Sequence, residues 1–180
     1  MTHPATIVID ETPVVRTAAR IWVAADAFYF LAFFFGLFYL RTLNENGRWH
    51  PAGEHASTGL LIATAVVLVV GAVALAVMAR GGDSWLGWIG VGSQLVGAVL
   101  CFWQLLHLDF ATATAGAFGS LLVGFTASMV VHLLGAAYWS EVGTMSRART
   151  AEAGTVAGAA TNAVFLAAIY VLFAFLFLVL

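Results

Sequence analysis

The stretch Gly116–Tyr138 reads GAFGSLLVGFTASMVVHLLGAAY. It is apolar enough and long enough to cross a bilayer as one helix, since roughly 20 residues at 1.5 Å per residue cover ~30 Å of hydrocarbon. Small residues recur on it every fourth position: Gly116, Ser120, Gly124 and Ser128, with His132 and Ala136 continuing the line. Residues four apart lie nearly above one another on a helix, so the sequence predicts a flat strip for a close neighbour, with one ionisable group at its end. An imidazole within hydrocarbon is costly, and its position is therefore a candidate functional site.

The rest of the chain is of the same kind. Over 180 residues it is 62% hydrophobic and 9% charged, against roughly 25% charged residues in an ordinary soluble domain. The reading is an integral membrane protein. A net charge of -2 and the lack of any basic run argue against nucleic acid as a partner. The one cysteine, Cys101, lies inside an apolar run and reads as a small core residue.

Five spans are predicted: 21–40, 59–79, 85–106, 116–138 and 156–180. The runs are continuous rather than alternating, which excludes a β-barrel. Residues 1–19 read as a polar cytoplasmic tail and not as a cleaved signal peptide, because the run that follows is too long. The whole, 1–180, is expected to be a single all-α transmembrane domain. Arg16, Arg20, Arg80, Arg147 and Arg149 fall on one side, and Arg41 and Arg48 on the other. The excess of arginine marks the cytoplasmic side, so the N-terminus is expected inside and the C-terminus outside. Trp85, Trp88, Trp139 and Trp49 are placed by this topology at the membrane edges.

Topology and rise per residue give each intramembrane polar group a depth. Asp26, Gln94, His132 and Asn162 all fall roughly 8–14 Å inside the cytoplasmic face. Gln104 and His107 form an outer pair at the far end of the third span. A lone buried carboxylate tends to neutralise, whereas an imidazole or amide opposite it lets it stay charged or share a proton. Asp26 and His132 are therefore expected to interact directly or through one water. The inner set reads either as a proton-handling or lipid-headgroup site, or as a polar clip between helices. Gly90, Ser93, Gly97 and Cys101 make a second small-residue strip, so the third and fourth helices are expected to pack on each other. Phe30, Phe33, Phe34 and Phe38 are left facing lipid or a partner.

Catalytic signatures are missing. There is no nucleophile–base arrangement, phosphate loop or dinucleotide fingerprint, and no catalytic residue is assigned. His107 and His132 lie in opposite leaflets and cannot share a haem iron. His50, Glu54 and His55 in the first outer loop match no strong metal motif, so no metal site is expected. The lack of repeats weighs against a stand-alone transporter or channel that would use Asp26 and His132 as a relay.

Several segments, in order, resemble subunit III of the haem–copper oxidases in a short five-helix form. Asp26-Ala27-Phe28-Tyr29-Phe30, running on to Tyr39-Leu40-Arg41, is similar to the family's Ser-Glu-x-x-x-Phe segment and its exit. Trp49-His50-Pro51 resembles a Trp-Pro-Pro loop, and Phe102-Trp103-Gln104 with His107 a Phe-x-x-Gln-x-x-Glu helix end. Thr126 to Gly135 is similar to Thr-Gly-x-His-x-x-His-Val-x-Gly. Asp26 stands for the family's embedded Glu, Met129 replaces the first histidine, and Ala160-Thr161-Asn162 stands where Trp-His-x-x-Asp is found. The resemblance implies an accessory subunit without cofactors of its own in a bacterial cytoplasmic membrane. Such a subunit packs on the catalytic subunit I, which with its neighbours carries haem and copper. It binds phospholipid and supports assembly and proton uptake. A sister branch implies a nitric oxide reductase as the alternative partner.

Overall fold

The computed structural model describes residues 12–44, 49, 56–107, 116–149 and 153–179. Every regular element among them is an α-helix: α1 Thr12–Thr42, α2 Thr58–Ala79, α3 Trp85–His107, α4 Gly116–Arg149 and α5 Ala153–Val179. All five are long and apolar enough to cross a membrane, which makes the chain a multi-pass membrane protein. The loop histidines His50 and His55, with Glu54, lie outside the described residues, as does the start of the N-terminal tail.

Helices α2, α3, α4 and α5 form a ring in which each packs on the next and α5 closes back on α2; α1 lies outside it, against α5 and α4. The α2–α3 corner is a Schellman turn. Gly82 N–H donates to the Val77 carbonyl at 3.0 Å and Gly81 N–H to that of Met78 at 3.1 Å. Gly81 takes φ 111°, a conformation open to glycine at little cost. The corner sets α2 and α3 antiparallel in close register. Met78 meets Gly87, Leu75 meets Gly90, Gly71 meets Ser93, and Leu68 meets Gly97.

Helices α3 and α4 pack on each other as expected, though not strip on strip. The α3 strip does not face the α4 strip; its glycines receive leucine side chains of α2. The α4 strip faces α1 instead, where Phe33 lies over Gly124 and Leu121 over Gly36. Helices α3 and α4 do pack extensively, but through Thr144 on Gly87 and Leu133 near Gly97. A small-residue ladder marks a groove along a helix, and carries no information on which neighbour fills it.

Two helices run beyond the predicted spans. At 1.5 Å per residue, the 31 residues of α1 reach about 46 Å and the 34 of α4 about 51 Å. Helix α1 starts inside the expected tail, where Pro13 occupies the first turn, the position at which its missing N–H costs nothing. Helix α4 continues through Trp139–Arg149, into the connector between the predicted fourth and fifth spans. The small residues there are packing surface: Gly143 lies on Thr155, Val156 and Ala159 of α5, and Ser140 and Thr144 are buried.

Aromatic side chains fill the space where α1, α4 and α5 meet. Phe125 stacks on Phe173, and Phe118 packs tilted against Phe177. Phe30 and Phe34 belong to this core, contrary to the outward face expected for them. Phenylalanines occur all round α1, so sequence alone does not choose its inner side; the side shared with Asp26 and Leu37 turns inward. The outward side is Phe28, Leu31, Phe35, Phe38 and Tyr39. Trp49, placed at the outer membrane edge by the sequence, is instead buried edge-on against Phe118, with its backbone N–H on Asn44 Oδ1 at 2.8 Å.

Candidate functional site between α1, α4 and α5

Because α1 and α4 run antiparallel in step, each turn of one brings a polar or small residue of the other opposite. Tyr29 meets Ser128, and one turn away Asp26 meets His132. The Ser128 hydroxyl donates to the Gly124 carbonyl at 2.7 Å. It therefore accepts from the Tyr29 hydroxyl, 2.6 Å away. Replacing Tyr29 by phenylalanine is expected to lower stability by only about 0.6 kcal/mol, the usual contribution of one interhelical hydrogen bond in lipid; thermal unfolding in detergent measures it.

His132 is fixed from three sides. Its Nδ1 lies 2.8 Å from the Ser128 carbonyl. A carbonyl only accepts, so Nδ1 carries the hydrogen. Tyr29 stacks on the ring at 5.4 Å between centroids and Phe30 lies at 4.9 Å. Nε2 then faces Asp26 Oδ1 at 3.6 Å, an ion-pair separation longer than a direct hydrogen bond. With Nδ1 protonated, Nε2 carries a hydrogen only in the imidazolium, so one proton decides whether the pair is an ion pair. Asp26 is 8% exposed, and its Oδ2 has no partner among the described residues.

Asn162 of α5 lines the same cleft, with a buried Oδ1 that is likewise unpartnered. Trp22, one turn before Asp26, and Trp139, two turns after His132, form its aromatic walls, and Gly135 leaves a notch in α4. The cleft encloses about 460 Å³. The sequence reading missed the tryptophans as cleft residues. Their spacing of four and seven from Asp26 and His132 was the available signal, since it places them on the same helix faces.

Gln94 does not join this group. It lies on the α3 face between Gly90 and Gly97, 3% exposed, with neither amide atom partnered among the described residues. The outer pair also separates. Gln104 is buried and unpartnered, whereas His107 is exposed, with Nδ1 on the Trp103 carbonyl at 3.0 Å and its ring stacked on Trp103. Of the strip residues, Gly124 and Ser128 sit under α1, Ser120 is exposed with its hydroxyl on the Gly116 carbonyl, and Gly116 begins the helix at φ 59°.

A second polar cluster was not foreseen. The Tyr170 hydroxyl of α5 lies beside Thr64 of α2 and Cys101 of α3 inside the ring. A tyrosine in the middle of an apolar span needs a partner for its hydroxyl, and that was the only sign of it. Among the described residues no three His, Cys, Asp or Glu side chains are grouped to hold a metal. No protein-family model matches the chain, and no match is found among curated proteins.

Proposed function

We propose that the chain is an accessory, non-catalytic subunit of a respiratory haem–copper oxidase, set in a bacterial cytoplasmic membrane with its N-terminus inside. One observation carries this reading. Asp26 and His132, which lie in the two segments where the resemblance to subunit III is strongest, meet across α1 and α4 at 3.6 Å. In this role α1 offers its outward aromatic side, Phe28, Phe35, Phe38 and Tyr39, to the catalytic subunit. Aromatic residues are enriched at such contacts, and α2 by contrast exposes Ile62, Val66, Val70 and Val73, a surface suited to lipid tails. In this reading haem and copper are carried by the partner subunits. His132 is held by Ser128 and Asp26, and His107 lies at the opposite end of the bundle, so the described histidines do not fit a haem between two imidazoles. The Asp26–His132 pair supports α1 on α4 and bears on proton uptake by the partner, and phospholipid fills the remaining gaps between helices.

Purification of the tagged chain in mild detergent tests this. A co-purifying haem protein that reduces oxygen is the expected result. Co-purification of nitric oxide reductase activity would move the chain to the sister branch. A haem-free, self-associated species that conducts ions in proteoliposomes overturns both.

A further inference from the structure

We propose that the cleft between α1, α4 and α5 binds a substituted ammonium group carried on an apolar chain. The inference shares the Asp26–His132 pair with the subunit reading but rests on the cleft alone, whatever complex the chain joins.

The charge and the hydrogen-bonding sense of the cleft select the ligand. Asp26 and Asn162 line it, and Asp26 Oδ2 and Asn162 Oδ1 are buried with no partner among the described residues. With the imidazole neutral, His132 Nε2 adds a third lone pair, because Nδ1–H is committed to Ser128. Three acceptors, one of them a carboxylate, ask for a cation that brings its own N–H or polarised C–H groups. Unpaired acceptors in hydrocarbon cost free energy, which such a ligand recovers.

The lining falls short of a calcium or magnesium site. Calcium takes six to eight oxygen ligands, and magnesium a full octahedron; two side-chain oxygens and a ring nitrogen fall short. The indoles of Trp22 and Trp139 instead supply what an ammonium group uses, an aromatic face toward which a cation is drawn. Trp139 is held in place by Gly158, where a Cβ would come within 2.9 Å of its ring. A volume of about 460 Å³ suits a headgroup-sized molecule. The apolar chain follows from the lining residues Trp22 and Val131, which are 56% and 68% exposed on membrane-spanning helices. Entry is then sideways from the bilayer. The ammonium group comes either from a phospholipid headgroup or from a free alkylamine.

The test is calorimetric titration of the full chain in maltoside micelles with decylamine, and with decanol as a neutral ligand of the same tail. Saturable binding of decylamine and none of decanol is expected. Asp26→Asn removes the charge, and Gly135→Leu fills the notch at a position with open space around it. Each is expected to weaken decylamine binding roughly tenfold or more, the scale of one charged hydrogen bond. If Asp26→Asn fails to fold, Gly135→Leu decides alone. Competition by added phosphatidylethanolamine, and none by phosphatidylglycerol, identifies the headgroup as the source; competition by neither identifies a free amine. Equal binding of decylamine and decanol, or wild-type affinity in Gly135→Leu, overturns the proposal. Co-purification of an oxidase is measured without any of these ligands, so the two readings fail separately.

Discussion

Gly90→Val is expected to cost about 2–3 kcal/mol, the upper part of the range for overpacking a well-filled core. In a chain of this size that lowers the unfolding temperature by roughly 4–12 °C. A Cβ at Gly90 would overlap the Leu75 side chain at Cγ and come within 2.7 and 2.8 Å of its two methyl groups. Leu75 is fully buried, so relieving the overlap requires the two helices to separate. The α2–α3 register is fixed by the Schellman turn at one end and by Leu68 in the notch of Gly97 further along, so sliding does not relieve the clash. Valine's own helix propensity is better than that of glycine by a few tenths of a kcal/mol, too little to offset it. Gly92 is the control. A Cβ there meets nothing within 4 Å, and Gly92→Val is expected to stay within about 0.5 kcal/mol of the parent. Thermal unfolding of both variants in detergent, followed by loss of the monodisperse peak, checks the pair. Equal stabilities would show that α2 and α3 do not interlock in this register.

The second large effect concerns the Asp26–His132 pair and takes the form of a non-additive cycle. His132→Leu leaves a carboxyl group in the cleft with no imidazole opposite. Breaking a buried pair from one side costs about 3–5 kcal/mol in soluble cores. Here the side chains are 12% and 20% exposed, so about 2–3 kcal/mol is expected. Asp26→Leu strands the imidazole and is expected to cost a little less, because Nδ1 keeps its bond to Ser128 and the ring keeps its contacts with Tyr29 and Phe30. The double variant removes both polar groups and should lie closer to the parent than either single one, since two apolar side chains replace the pair without leaving a charge. Unfolding of all four proteins measures the coupling. Strict additivity would mean that the two residues do not act on each other.

Particular residues show how far the sequence reached. Five spans were legible because continuous apolar runs admit one explanation. The meeting of Asp26 with His132 was legible because rise per residue and topology together fix depth, and both lie at one level. Gln94 lies at that level too and joins nothing there. Depth says nothing about direction around a helix, and direction is set by neighbours that a single span does not name. The same gap separates the α4 ladder from the α3 strip and turns Phe30 inward. The far end of α4 was hidden for a different reason: Ser140, Gly143 and Thr144 look like a loop in composition, and only the partner surface on α5 and the notch at Gly87 make them helix-packing residues.

The placement of α1 outside the ring has a consequence for how the chain is made. Helix α1 is synthesised before the other four, yet its partners are α4 and α5, the fourth and fifth in order. About 110 residues separate the end of α1 from the start of α5, which at 5–20 residues per second is roughly 5–20 s of translation. During that interval Asp26 is in the bilayer before His132 has been added, so α1 is the helix of the nascent chain most exposed to quality control. The α2–α3 hairpin, closed by its own turn, can form the contacts between its two helices as soon as α3 is made.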